Sequence, residues 1–183
     1  MTKRVLSLLL AGACSYAGAA EDACRAQIPA SLASVLESKF AGSRLPLVSD
    51  NLEYNINYNK SHGGTGCLGV AEGDFDGNGT KDVVVGLTPK TGGAPVVVVA
   101  LAVDGGWKLH PIKSWVDHRS RLYVGAVPPG RVKRTPAADG PLESGERKSM
   151  TCGNDGVVVG ATESTAIVYC FLRGKWFYVW ASD

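Results

Sequence analysis

Gly73-Asp74-Phe75-Asp76-Gly77-Asn78-Gly79-Thr80-Lys81-Asp82-Val83-Val84-Val85-Gly86 sets oxygen-bearing side chains at alternate positions and then turns abruptly β-branched. Counted from Asp74, the side chains of Asp74, Asp76, Asn78 and Asp82 stand at positions 1, 3, 5 and 9, and Thr80 at position 7 offers its carbonyl. Calcium is a hard ion that takes about six to eight oxygens at about 2.3–2.6 Å, so this donor set suits it. Gly79, at position 6, permits the sharp turn that brings alternate side chains inward. Three carboxylates that converge without a cation repel one another, which makes an empty loop costly. The plain alternative is an acidic Asp/Asn/Gly turn with no ion. A helix-loop-helix calcium site is excluded, because position 12 is Val85 rather than glutamate and the following residues favour a strand.

The same stretch resembles the FG-GAP, or VCBS-type, repeat motif of integrin alpha-chain propellers and of many exported bacterial proteins. The resemblance implies a calcium loop between two strands of a blade, with Asp74, Asp76, Asn78, Thr80 (through its carbonyl) and Asp82 as ligands. It extends over the quoted stretch alone. The motif occurs once, whereas a propeller needs several copies, so the expectation is a single blade-like meander.

Outward from the loop the pattern stays β. Cys67-Leu68-Gly69-Val70 leads into it and residues 83–87 leave it. Residues 95–103 form a long β-branched run closed by Asp104-Gly105-Gly106, a hairpin signal, with 107–112 as the return strand. Residues 122–127, 156–160, 166–172 and 176–180 read as further short strands, the last two joined by Arg173-Gly174-Lys175. Near the start, Ile28, Leu32, Val35, Leu36 and Phe40 recur at helical spacing, with Pro29 at the first turn and Gly42 at the end. Residues 45–52 read as extended, running to the turn His62-Gly63-Gly64-Thr65-Gly66. The fold class expected is therefore mainly β with an N-terminal helix: an antiparallel meander, propeller-blade-like, with the helix on one face or end. Between 128 and 150 the pattern lapses, and Arg131, Lys133, Arg134, Arg147 and Lys148 make the segment basic. It reads as a solvated, mobile insertion, or alternatively as a binding loop that carries positive charge to an acidic partner surface.

The 183 residues suffice for one domain with a proper core, and 45% hydrophobic with 20% charged residues excludes wholesale disorder. A formal net charge of +2 gives no reason to expect nucleic acid as a partner. Residues 1–20 read as a signal peptide: Lys3 and Arg4, an apolar run from Val5 to Ala13, then Ala17-Gly18-Ala19 before the cut. Residues 21–183 would then be a single β-rich calcium-binding domain. Leu10-Ala11-Gly12-Ala13-Cys14 also resembles a lipobox, in which Cys14 would carry an outer-membrane lipid anchor; Ala11 stands where a large aliphatic residue is usual. Either route places the protein in the periplasm or outside the cell. Five cysteines become four once Cys14 is removed, and an even number in an oxidising compartment reads as disulfides, with three connectivities open. Cys152 and Cys170 flank an expected hairpin, which would leave Cys24 for Cys67.

An active site is harder to find. Ser61-His62 with Asp104 or Asp117 makes a triad on paper, but no GxSxG elbow is present. Asp117-His118 reads as a surface pair, and nothing in the sequence sets the separation of Glu143, Glu146 and Glu163. Trp176, Phe177, Tyr178 and Trp180 alternate across a strand, one set for the core and the other for the surface. The leading expectation is a non-enzymatic exported binding protein stapled by calcium and disulfides. Its layout is similar to exported immunity proteins that protect bacteria from secreted peptidoglycan-degrading toxins, which implies a cell-wall hydrolase as partner; in the binding-loop reading of the basic segment, Arg131, Lys133 and Arg134 would be the contacts. An adhesion or carbohydrate-binding module, and a hydrolase with an unrecognised site, are the other readings.

Overall fold

The computed structural model describes residues 21–182. The expected signal peptide over 1–20, with Cys14, lies outside the described residues. The chain opens with α1 (Ala23–Ala26) and α2 (Ala30–Lys39), followed by β1 (Ser43–Arg44), a 3-10 turn at Val48–Asp50, and α3 (Glu53–Ser61). β2 (Val70–Gly73), β3 (Asp82–Pro89), β4 (Val96–Val103) and β5 (Gly106–Ile112) then form an antiparallel meander, with β1 paired to the far end of β3. After a 3-10 turn at Arg119–Arg121 comes β6 (Leu122–Val127), then a ribbon of β7 (Gly130–Lys133) and β8 (Ser149–Cys152). β9 (Gly156–Ala161), β10 (Ala166–Leu172) and β11 (Lys175–Ser182) complete the chain, and β6 pairs with β9 to make a second four-stranded sheet.

The mainly antiparallel β architecture follows from the patterning, but the strands divide between two sheets rather than one. β3 and β4 explain why. Val84, Val97, Val99 and Leu101 share a core with Leu122, Val124, Val157, Val159 and Ile167 of the second sheet. Val83, Val85, Leu87, Val98 and Ala100 belong to another core, shared with Ile28, Leu32, Leu36 and Leu45. Successive side chains of a strand point to opposite faces, so a strand covered on both sides reads as an unbroken apolar run. One sheet with one helix could not cover both faces of Val96-Val97-Val98-Val99. The second sheet is itself covered on its outer face by the ribbon, through Met150, Cys152, Val168, Cys170 and Val179.

The expected N-terminal helix is α2, which starts one residue after its cap Pro29, with Ile28 in the joint to the short α1. Two expectations need correction. Residues 45–52 are not extended throughout, because Asp50 draws them into a turn. It is buried, accepts hydrogen bonds from Leu47 N–H at 2.9 Å and Thr88 Oγ1 at 2.8 Å, and pairs with Arg44. Burial pushes the Asp50 carboxyl up, yet these donors outweigh it and hold the group below the usual carboxylate range. Residues 128–150 are not a mobile insertion. Val132 and Met150 sit opposite each other in the ribbon and pack inward, and Thr135 and Glu146 are buried.

Disulfides join Cys24 to Cys67 and Cys152 to Cys170, with Cα–Cα distances of 5.0 and 5.2 Å, inside the usual range. The second bond does not close a simple hairpin; it ties the ribbon to β10. Both bonds fit an oxidising compartment. No helix among the described residues is long and apolar enough to cross a membrane. With sequence separations of 43 and 18, loop closure alone gives each bond about 3–4 kcal/mol in the unfolded-chain entropy account. Reduced protein is therefore expected to unfold at a clearly lower urea midpoint than oxidised protein, with Cys24→Ser/Cys67→Ser losing about 2–4 kcal/mol.

Candidate metal centre

Asp74, Asp76 and Asp82 each present a carboxylate oxygen, and these atoms lie within 4.8 Å of one another. The register of β2 on β3 sets this up, since Gly73 pairs with Asp82 and closes the residues between them into a loop. Phe75 anchors that loop: its side chain is fully buried between the two sheets. Its N–H donates to Asp82 Oδ2 at 2.8 Å, while Ala102 N–H on β4 donates to Asp82 Oδ1 at 2.7 Å. Asp74 accepts from Gly77 N–H at 2.9 Å and Gly79 N–H at 3.0 Å, one on each oxygen. Both glycines have left-handed backbones, φ +81° and +80°, as the sharp turn demands. Asn78 accepts from Thr80 N–H at 2.7 Å and donates to Ala102 O at 3.0 Å.

These residues fit a calcium ion. The donors are all oxygens, and the N–H bonds to Asp74 use one acceptor position on each oxygen and leave the other free. Burial pushes the Asp82 carboxyl above its usual range and the charge of Asp76 adds to the shift, against the lowering effect of the Ala102 and Phe75 N–H groups. A divalent cation would offset both the burial and the repulsion. Asp155, at the entry to β9, clasps the loop from the second sheet: its N–H donates to Asp74 O at 3.1 Å and its Oδ2 accepts from Asp74 N–H at 3.0 Å. Sequence reading passed over Asp155, although Asp155-Gly156-Val157-Val158-Val159-Gly160 echoes Asp82-Val83-Val84-Val85-Gly86.

The basic residues separate into two kinds. Arg131 and Lys133 are exposed on one face of β7, opposite Thr151 and Ser149. Arg134 is turned inward, and its Nε donates at 2.7 Å to Glu146, whose side chain is 1% exposed. Arg134 is thus removed from the expected contact set, because a buried carboxylate claims it. Arg147 lies over the Phe177 ring, 4.2 Å from its centroid, so the outward aromatic of β11 is covered rather than bare. Tyr178 is buried in the inter-sheet core, with Trp176 and Trp180 packed against it.

The residues that made triads on paper do not converge. Ser61 Oγ donates to Tyr58 O at 2.8 Å, and His62 Nδ1 bonds Tyr58 O and Ser61 Oγ, with no carboxylate in hydrogen-bond contact. His118 caps the turn before β6 through Ser120. Glu143 pairs with Lys113 and accepts from Tyr178 OH at 3.0 Å. Compared with protein-family models, curated proteins and solved structures, the chain matches none.

Two outcomes check this geometry. Calcium is expected to raise the melting temperature of EDTA-treated protein, with the increase lost in Asp76→Ala and weakening as the pH is lowered, because the raised Asp82 carboxyl takes up a proton that competes with the ion. In urea unfolding, Arg134→Ala should cost about 3–5 kcal/mol by stranding Glu146. Arg131→Ala should cost less than about 0.5 kcal/mol.

Proposed function

We propose that the chain is an exported, non-enzymatic binding protein stabilised by calcium, and that its partner is a protein with an acidic surface. The most concrete form of this reading is an inhibitor or immunity protein against a peptidoglycan hydrolase. One observation carries it. A cleft of about 870 Å³ between β8 and the β10–β11 turn is bordered by Arg147, Arg173 and Lys175, by Phe171 and Phe177, and by Asp76 of the calcium loop.

Arg25, Arg44, Lys81, Lys113 and Arg134 each meet a carboxylate. Arg147, Arg173 and Lys175, with Arg131 and Lys133 on the ribbon, form no ion pair among the described residues. Cations left unpaired beside aromatic walls are the side chains that anchor protein interfaces, where Arg and aromatic residues dominate binding energy. Complementary charge also speeds encounter with an acidic surface. Calcium enters through Asp76. An acidic partner arriving at the cleft would be repelled by an unneutralised loop, and a bound cation removes that repulsion. The engaged states of Ser61, His62, Glu143 and Glu146 agree with a non-catalytic role.

Surface plasmon resonance of the mature chain against a lysozyme-type hydrolase tests the reading. Binding is expected in calcium and weakened in EDTA, with Arg173→Ala/Lys175→Ala losing at least tenfold and Arg131→Ala/Lys133→Ala losing less. Equal affinity for the wild type and the Arg173→Ala/Lys175→Ala variant would remove the cleft from the account, and no binding would remove the hydrolase.

A further inference from the structure

α3 is the element with the least reason to exist on packing grounds. Asn55 is its only buried residue, yet Tyr54 and Tyr58 are the two most exposed large hydrophobic side chains among the described residues, at 67% and 58%. They stand four residues apart on one helix face, about 6 Å along the axis. His62 stacks on Tyr58 with ring centroids 4.2 Å apart and bonds Tyr58 O at 2.8 Å, which steadies the platform. Facing the helix is a groove of about 620 Å³, bordered across from it by Leu68, Tyr123 and Glu163. Tyr123 lies over Gly160, where an added Cβ would stand 2.5 Å from the ring, so β9 is open at that point to seat the tyrosine.

The two amides of the groove are each held in place by one side-chain bond. Asn55 Nδ2 donates to Thr162 Oγ1 at 3.1 Å, and Asn59 Oδ1 accepts from Gly66 N–H at 2.8 Å. That leaves Asn55 Oδ1 as an acceptor and Asn59 Nδ2 as a donor, neither bonded to a described residue. Among the described residues no lysine or arginine borders the groove, and Glu163 is its one carboxylate. Its occupant is therefore not an anion, and it must offer flat C–H faces to tyrosine rings while both donating and accepting hydrogen bonds. Hydroxyls do both. A proline-rich segment, the other common occupant of aromatic grooves, offers few donors beside its carbonyls and would leave Asn55 Oδ1 unmatched.

We propose that this groove binds a neutral oligosaccharide, with pyranose rings against Tyr54 and Tyr58 and hydroxyls on the Asn55 and Asn59 amides. The spacing of the two tyrosines is on the scale of one sugar unit, which favours a chain over a monosaccharide. The site is separate from the cationic cleft: Thr162 and Glu163 precede β10, whereas Arg173 and Lys175 follow it. Its occupancy needs neither calcium nor an acidic partner.

A glycan array of neutral oligosaccharides, followed by calorimetry with chitotetraose, cellotetraose and any array hit, tests the proposal. The expected result is binding of at least one such sugar with the same affinity in calcium and in EDTA. Tyr54→Ala and Tyr58→Ala, whose melting temperatures should match the wild type because both side chains are exposed, are expected to weaken it at least tenfold. Arg173→Ala/Lys175→Ala should leave it unchanged, so failure of the acidic-partner reading would not touch this one. No neutral sugar bound at millimolar concentration, binding that survives both tyrosine variants, or capture of a polyproline peptide in place of sugar would each overturn it.

Discussion

A single carboxylate, buried where β3 begins, receives the N–H of Phe75 from one direction and the N–H of Ala102 from another. Asp82 thereby fixes the loop to the neighbouring strand, and Phe75 can seat its ring between the two sheets only because its backbone is held there. Burying an ionised carboxylate is expensive unless it is compensated, and two donors compensate it only in part, since its proton affinity stays raised. A calcium ion held with Asp74 and Asp76 would complete the compensation. The loop, the inter-sheet core and the wall of the cationic cleft all lie within reach of that one group.

The strands were legible wherever their apolar runs are unbroken, though their division between two sheets was not. Val96-Val97-Val98-Val99 and Ala166-Ile167-Val168 announce strands because nothing polar interrupts them. The loop between β2 and β3 was legible because its alternating Asp, Asn and Gly, unlike packing, are written in consecutive residues. α3 was not legible, for it has no apolar stripe: Glu53-Tyr54-Asn55-Ile56-Asn57 offers a hydrophobic-period search almost nothing, and a single buried amide fixes it to the body. The ribbon was missed for a related reason. Its strands are four residues each, bounded by Pro129 and Gly153, and they declare themselves only through contacts with β10 and β11. Arg134 looks in sequence like its neighbours Arg131 and Lys133, and only the buried Glu146 distant in the chain sets it apart.

The functional reading turns on that difference between cations. Those with carboxylate partners belong to the fold, while Arg131, Lys133, Arg147, Arg173 and Lys175, which form no ion pair among the described residues, stand in or beside the ribbon and the β10–β11 turn. If the loop holds calcium and the cleft receives a partner, as proposed, one element serves both stability and charge. The ribbon itself interrupts the second sheet between β6 and β9, the same connection that the acidic loop makes between β2 and β3 of the first. Two sheets of like order thus carry an acidic loop in one and a basic arm in the other, clasped together by Asp155.

The most direct test of the account is a crystal structure of the mature protein grown with calcium. It is expected to place one ion among the side-chain oxygens of Asp74, Asp76, Asn78 and Asp82 and the carbonyl of Thr80, at about 2.3–2.6 Å. A loop of unchanged shape with only water at that position, from protein soaked in millimolar calcium, would contradict it.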